Sequence, residues 1–244
     1  MLINRVSRVV FIGLAAASLC TSASASAAQP SLRISTDIVP LIENMPQVHS
    51  APAGAGDEYQ ATPLCDHWSA VGARTPKADD ALSVYADAEE TVFLGRSQQP
   101  KGEIEFVAFG PNGCPAVDVY PVVNRKRGAG PYTIEYDSRR DLAKGDSETY
   151  QLLQQNVVDV YTSSLAAGET ATFSVKPNKR QDLAIYLMTN RGSFVQPRAL
   201  AVAKSTRGGV GQTETFEYTS AAGGSFGLVV VQLSGHGVYS VSRS

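Results

Sequence analysis

A chain of 244 residues with 18% charged and 43% hydrophobic side chains has the composition of an ordinary globular protein with enough apolar material for a core. Its 21 basic residues are outnumbered by 23 acidic ones, which argues against a nucleic-acid partner, because such partners require a basic surface. After the N-terminus, no segment is apolar enough to cross a membrane.

The first 28 residues have the pattern of a bacterial-type secretory signal peptide. Arg5 and Arg8 precede an apolar run over residues 9–20, and small residues continue to Ala28. The apolar run is too short to span a bilayer, and the alternation of Ala and Ser offers cleavage sites between about residues 25 and 28. We therefore expect residues 1–28 to be removed and the mature protein to be periplasmic or secreted; the alternative is a retained anchor helix.

Removal of the signal peptide takes one of the three cysteines with it. Cys20 is not predicted to be lipidated, because Leu19 stands where a small residue is needed. Cys65 and Cys114 remain, and two cysteines in an oxidising compartment predict a disulfide. This bridge closes a loop of roughly 50 residues, which the chain-entropy model values at roughly 4 kcal/mol. The alternative is a reactive Cys65 beside His67.

Residues 29–59 are weakly patterned and are predicted to form a leader and linker. Residues 50–56 are small and turn-prone, as in a flexible linker. The short apolar segment at residues 38–42 is interpreted either as an extended strand packed on the following domain or as part of a disordered leader.

Short alternating runs separated by turns dominate after Tyr59. The run at residues 103–109 places Ile104, Phe106 and Ala108 on one face and ends at a turn rich in Gly and Pro. Residues 226–233 are apolar on both faces, as in a strand that is covered on both sides. Further runs lie at residues 170–175 and 213–218, and the only stretch with helical character is residues 148–155. This spacing predicts an all-β chain of sandwich or barrel type.

The chain also repeats itself, because three pairs of segments recur in the same order in both halves. The pairs are residues 66–68 with 159–161, residues 81–85 with 182–186, and residues 119–134 with 229–241. We therefore predict two tandem antiparallel β-sandwich domains, at residues 60–140 and 150–244. Tyr132 and Tyr239 are expected at equivalent positions in their last strands.

The second unit resembles a known family. Its segments are Asp159-Val160-Tyr161, residues 165–170, residues 182–187 and residues 235–241. In this order they resemble the bacterial pre-peptidase C-terminal (PPC) domain, a jelly-roll β-sandwich. The resemblance covers most of residues 157–244 and, more loosely, the first unit, whose segment between Trp68 and Leu82 is short. It implies an accessory role, since members of this family are usually appended to secreted peptidases and other hydrolases, where they are thought to help localisation or substrate binding.

Catalytic residues are not predicted. Residues 223–227 fit the pattern G-x-S-x-G, but an apolar strand follows Ser225 where a hydrolase has a helix, so a hairpin turn is the favoured interpretation. The available bases are His49, His67 and His236, and nothing in the sequence brings them to Ser225.

Two clusters of charge are weak candidates for binding. An acidic set around one predicted strand offers the oxygen ligands that suit calcium, which some PPC relatives bind, although a solvated face is favoured: Asp79, Asp80, Asp87, Glu89 and Glu90. Zinc is not expected, and no other cofactor is predicted. A basic cluster in a predicted loop suits anionic polysaccharide or lipid headgroups, although solvated turn residues explain it equally well: Arg125, Lys126 and Arg127.

The favoured function is a non-catalytic binding, adhesion or accessory module that acts on an extracellular or periplasmic polymer or protein. The alternatives are a structural subunit, inhibitor or chaperone of another secreted protein and, last, a hydrolase that uses Ser225.

Overall fold

A computed structural model describes residues 38–111, 116–190, 193–206 and 208–244. Within them the chain forms nineteen β-strands and one 3-10 turn at Arg198–Leu200. The strands are β1 (Val39–Pro40), β2 (Gln47–Ala51), β3 (Gly56–Gln60), β4 (Ser69–Arg74), β5 (Asp79–Tyr85), β6 (Phe93–Ser97), β7 (Ile104–Phe109), β8 (Tyr120–Arg127), β9 (Gly130–Ser138), β10 (Arg140–Asp141), β11 (Ser147–Leu152), β12 (Val158–Leu165), β13 (Thr170–Pro177), β14 (Asp182–Thr189), β15 (Val195–Pro197), β16 (Ala203–Ser205), β17 (Glu214–Thr219), β18 (Gly224–Ser234) and β19 (Gly237–Arg243).

The strands form four sheets. Sheet 1 has the order β1-β3-β8-β5-β6 and sheet 2 the order β15-β7-β4-β9-β2. Sheet 3 has the order β10-β12-β18-β14-β16 and sheet 4 the order β11-β19-β13-β17. Sheets 1 and 2 enclose one apolar core, and sheets 3 and 4 enclose another. The predicted all-β sandwich architecture is therefore confirmed.

A third apolar core lies between sheets 2 and 3. Phe106 from sheet 2 packs against Tyr186 from sheet 3, with ring centroids 5.1 Å apart, and Trp68 and Val229 are fully buried in the same cluster. Both faces of sheets 2 and 3 are thus covered, which explains why strands such as β18 are apolar on both sides. The four sheets form one stack, in the order 1, 2, 3, 4.

The two sandwiches share one strand order. Sheet 1 and sheet 3 match strand for strand, including a two-residue parallel strand at one edge (β1 and β10). Sheet 2 and sheet 4 match in the same way, except that β15 at the edge of sheet 2 has no counterpart in sheet 4.

A buried hydroxyl cluster marks the same point in each sandwich. In the first, the hydroxyls of Tyr59 and Tyr132 lie 2.5 Å apart, and Tyr132 donates to Asp57. In the second, the hydroxyls of Tyr161 and Tyr239 are bonded to each other, and Tyr239 donates to Asp159. Burial raises the pKa of Tyr132 and of Tyr239 well above the usual tyrosine value.

This cluster places Tyr132 and Tyr239 at equivalent positions but corrects another predicted pair. The counterpart of residues 159–161 is Asp57-Glu58-Tyr59 on β3, not residues 66–68. The segments at 119–123 and 229–233 also align differently, because Val123 faces Asp57 and Val230 faces Asp159. Val123 therefore corresponds to Val230 rather than to Leu233.

The described part of the predicted leader contains three strands, and the stretch with helical character is also a strand. From residue 39 the chain belongs to the first sandwich, since β1 pairs with β3 and β2 pairs with β9. Residues 52–55 form a turn between β2 and β3 rather than a flexible linker. Residues 147–152 form β11, because pairing with β19 outweighs their helical propensity.

The predicted domain boundaries also differ from the observed sandwiches. The first sandwich begins before residue 60, and the second begins with β10 and β11 rather than at residue 150. In addition, β15 leaves the second sandwich and pairs with β7 of the first.

The signal peptide lies outside the described residues, and so does Cys114. Cys65 is described, and its bridge to Cys114 stays a prediction. Within the described ranges, no helix has the length and apolar character needed to cross a membrane.

Candidate functional site

Acidic side chains of β9 join the two sandwiches. The backbone N–H of Val158 donates to Glu135 at 3.1 Å, and that of Val160 donates to Asp137 at 2.6 Å. Residues two apart on a strand share a face, so the carboxylates of Glu135 and Asp137 lie on the same side of β9. They bind the edge of β12 at residues 158–160, because the short strand β10 pairs with that edge only at Tyr161 and Thr162. Burial raises the pKa of Glu135 to about 7 against the opposing effect of its N–H donors.

Arg140 belongs to the same contact between the sandwiches, and we call the contact formed by Glu135, Asp137, Arg140 and Asp159 the seam. Its Nη1 atom lies 2.5 Å from Asp137 and 3.0 Å from Asp159, and its guanidinium stacks 5.0 Å from the Tyr150 ring centroid. Burial and the Asp159 charge raise the pKa of Asp137, and the nearby arginine opposes that shift. The hydrogen bonds and charges of the seam fix the two sandwiches relative to each other.

A groove opens where the sandwiches meet at one end of the seam. We call it the junction groove, and it consists of two adjacent cavities of about 530 and 500 Å³ that share Gly235 and His236 as lining. Its lining comes from β2, β4, β9 and β18 and from the loops β4–β5, β11–β12, β13–β14 and β18–β19. The lining includes the side chains of Val48, Arg74, Pro131, Gln154, Leu233, Lys179 and Arg180.

Apart from the phenol of Tyr132, the titratable side chains that line the junction groove are basic or imidazole: Arg74, Lys179, Arg180 and His236. Arg74 is held in place because its Nη2 donates to the Gln154 carbonyl at 2.8 Å. Lys179, Arg180 and His236 are exposed. Half of the Val48 side chain is also exposed. The groove therefore offers positive charge beside apolar surface and amide groups, which suits an anionic ligand with apolar faces.

The acidic residues suggested for calcium do not form one site. Asp80 is fully buried against Arg125, and Asp87 caps its own loop by accepting the backbone N–H groups of Thr91 and Val92 at 3.0 and 2.9 Å. Asp79 is half-buried on β5, and Glu89 and Glu90 are exposed. Across the described ranges, no three His, Cys, Asp or Glu side chains are grouped so that they could hold a metal ion.

The basic cluster at residues 125–127 is likewise divided. It ends strand β8 and is not a loop. Arg125 points inward and is buried, whereas Lys126 and Arg127 are exposed. Arg125 is therefore unavailable to a ligand.

Ser225 serves the packing of Trp68. Its Oγ accepts a hydrogen bond from the Trp68 Nε1–H at 3.0 Å, and a strand, not a helix, follows it. Gly223 and Gly224 adopt positive φ in the preceding turn, and Gly227 lies directly against the Trp68 ring. The segment with the G-x-S-x-G pattern thus forms part of the packing surface for a buried tryptophan.

The histidines have other partners. The Nδ1 atom of His67 lies 2.8 Å from Asp66 and its Nε2 atom 3.5 Å from Asp141; the hydrogen bond to Asp66 is the main factor that raises the pKa of His67. His49 packs against Tyr59 and Tyr132. Neither makes a hydrogen bond to Ser225, and His236 lines the junction groove.

Substitution of Ser225 by Ala is expected to lower the free energy of unfolding by about 1 kcal/mol, because the Trp68 N–H loses its partner, and to leave the binding activity of the protein unchanged. Urea unfolding followed by tryptophan fluorescence measures the first effect, since Trp68 is the only tryptophan. Ser164→Ala, at the exposed cross-strand neighbour of Ser225, is the control. Labelling of Ser225 by a fluorophosphonate probe would show that a catalytic serine had been missed.

Comparison with known proteins gives structural similarities only. No protein-family model and no curated protein sequence matches the chain. The pre-peptidase C-terminal domain of collagenase from Bacillus anthracis is similar to 43% of this chain over 93% of its own length, with 17% identity and a TM-score of 0.36. The human MASP-1/3 CUB1-EGF-CUB2 region covers 82% of this chain and 100% of itself, with 9% identity and a TM-score of 0.25. A secreted protein from Eubacterium rectale covers 80% of this chain and 72% of itself, with 9% identity and a TM-score of 0.27. With TM-scores below 0.5, none of these similarities identifies a family.

The junction groove was not predicted from the sequence. Arg74, Lys179 and His236 are far apart along the chain, and only the packing of the two sandwiches brings their segments to one groove. The available signal was the adjacent pair Lys179–Arg180 in a turn, which resembles any solvated pair of charges.

Proposed function

We propose that this protein is a secreted, non-catalytic binding module made of two copies of one PPC-like sandwich, and that it binds an anionic polysaccharide in the junction groove. The observation that carries the proposal is the lining of the groove, in which Arg74, Lys179, Arg180 and His236 face the ligand space without an acidic neighbour in the lining.

The groove chemistry favours a sugar polymer that carries carboxylates. Arg and Lys pair with carboxylates, and Gln154 and Gln155 can donate to and accept from sugar hydroxyls. Val48, Pro131 and Leu233 offer apolar surface for the C–H faces of pyranose rings. The two cavities share a wall and together suit an extended ligand rather than a single small molecule.

Polygalacturonate is the probe for this proposal. We expect it to bind the purified mature protein and to bind more weakly as salt is raised, because exposed charges are screened. The double variant Lys179→Gln/Arg180→Gln is expected to weaken binding about tenfold, since it removes two exposed ion pairs. Affinity electrophoresis or calorimetry measures the change.

The matched control is Lys126→Gln/Arg127→Gln, which removes the same charge from the exposed end of β8. Dextran, an uncharged polysaccharide, tests whether binding requires the negative charge of the ligand. Poly-L-glutamate tests whether the ligand is an acidic peptide. Equal losses in both double variants would contradict the proposed site, and preference for poly-L-glutamate would replace polysaccharide with peptide as the ligand.

A further inference from the structure

The edge of sheet 4 lacks a strand that the equivalent edge of sheet 2 possesses. In sheet 2, β15 pairs antiparallel with β7 and covers its outer side. In sheet 4, β17 occupies the position of β7 and is the last strand. Within the described part of the chain, no strand pairs with the outer side of β17 over residues 215–219. An uncovered edge of this kind presents backbone N–H and C=O groups that can accept another strand.

The strand registers fix which residues of β7 and β17 correspond. Two positions after Tyr132, Ile134 pairs with Ala73 in sheet 2. Two positions after Tyr239, Val241 pairs with Val175 in sheet 4. The partners of Ala73 and Val175 on the other side are Glu105 and Glu214.

An arrangement of side chains that occurs in both sandwiches supports this alignment. Ser97 donates to Glu105 at 2.6 Å, and Ser205 donates to Glu214 at 2.5 Å. In both sandwiches the serine lies on the neighbouring edge strand of the opposite sheet (β6 or β16). It follows that Val107 and Phe109 of β7 correspond to Phe216 and Tyr218 of β17.

The missing strand changes how well these side chains are buried. Val107 and Phe109 are fully buried, and Val195 and Phe194 of the β15 segment pack against the same core. Phe216 and Tyr218 belong to the edge of the second core and are only partly buried. The second sandwich therefore has two aromatic side chains at its rim that a further strand would cover.

The chemistry of the rim defines that strand. In sheet 2, Val195 faces Phe109, Gln196 faces Ala108 and Pro197 faces Val107. By the same register, an added strand places apolar residues opposite Tyr218 and Phe216. The residue between them lies opposite Glu217, which is exposed, and a basic side chain there forms a favourable cross-strand pair.

We propose that the outer edge of β17 is a docking site for an extended peptide segment of another protein, bound antiparallel as a fifth strand of sheet 4, with the side-chain pattern apolar–basic–apolar. The site is independent of the junction groove, which is built from other residues.

The test uses a labelled synthetic peptide, Ser-Phe-Val-Lys-Val-Thr, which follows residues 193–198 with Lys in place of Gln196, Val in place of Pro197 and Thr in place of Arg198. Fluorescence anisotropy is expected to show binding, and hydrogen exchange is expected to show protection of amides in residues 215–219. Glu217→Lys should weaken binding about threefold to fivefold, in line with one exposed cross-strand pair. The same variant should bind the peptide Ser-Phe-Val-Glu-Val-Thr better than the unmodified protein does.

Three controls separate the alternatives. Glu89→Lys makes the same charge change on an exposed loop of the first sandwich and should leave binding unchanged. A backbone N-methylated peptide should fail to bind, because it cannot form the strand ladder. Lys179→Gln/Arg180→Gln should retain peptide binding whether or not it affects polysaccharide binding, so the two proposals fail separately.

Several results would overturn the docking site. One is protection by the peptide at a location other than β17. Another is equal binding of the Lys and Glu peptides by both the unmodified protein and Glu217→Lys. Concentration-dependent dimerisation that protects residues 215–219 without any peptide would identify a second copy of the chain as the occupant in place of another protein.

Discussion

Replacement of Arg125 by Met is expected to lower the free energy of unfolding by about 3–5 kcal/mol, because it leaves a buried carboxylate without its partner. The Nε and Nη2 atoms of Arg125 bind the two oxygens of Asp80 at 2.8 and 3.1 Å. Its Nη1 donates to the carbonyls of Ala51 and Gly130 at 2.8 and 2.7 Å. One guanidinium thus connects β5 of sheet 1 with the ends of β2 and β9 in sheet 2.

The neighbouring residue supplies the control for this prediction. Lys126→Met removes the same charge from an exposed side chain and should change the free energy of unfolding by less than about 0.5 kcal/mol. The double variant Asp80→Leu/Arg125→Met removes both charges and should recover part of the loss. Urea unfolding of all three variants measures these effects, and equal stabilities of the two single variants would show that the buried pair contributes little.

Replacement of Gly227 by Ala is expected to destabilise the protein by about 1–3 kcal/mol, because it overpacks the core between the two sandwiches. An ideally placed Cβ at this position would lie 2.5 Å from Trp68 Cδ2 and 2.6 Å from Cε3. Trp68 is fully buried, so the ring has no solvent-filled space into which it can move.

The partner of Gly227 provides a direct check. Trp68→Leu removes the ring atoms that clash, so the double variant Gly227→Ala/Trp68→Leu should be more stable than the sum of the two single losses predicts. Gly145→Ala, where the new Cβ meets nothing within 4 Å but φ is +88°, measures the cost of backbone strain without a clash. Near-ultraviolet circular dichroism of Trp68 should change in Gly227→Ala and stay constant in Gly145→Ala; the opposite result would contradict the packing explanation.

The strands could be predicted from the sequence because alternation and turn residues are local signals. Residues 103–109 alternate correctly, with Ile104 and Phe106 in the core between the sandwiches and Val107 in the core of the first. The function of Gly223–Gly227 could not be predicted, because its partner, Trp68, is more than 150 residues away along the chain. The G-x-S-x-G pattern, which in hydrolases carries the nucleophile, packs here against the indole ring of Trp68.

Features that depend on partners distant in sequence were missed for the same reason. Asp57-Glu58-Tyr59 follows a Gly-containing turn and has no clear apolar pattern. Its assignment to a strand depends on the hydrogen bonds of Asp57 and Tyr59 to the hydroxyl of Tyr132. The strand β15 has three residues, too few for any periodicity. Arg125 is followed by two exposed basic residues, Lys126 and Arg127, and its burial depends on Asp80, a partner 45 residues away along the chain.

The placement of β15 has a consequence for the order of folding. Sheet 2 obtains its edge strand from residues 195–197, which follow the first five of the nine strands of the second sandwich along the chain. A chain that emerges from its N-terminus therefore cannot complete its first sandwich until most of the second has been synthesised. Until then β7 has a bare edge, and any cut between the two halves would leave it so permanently. The N-terminal half is first in sequence but finishes its assembly late.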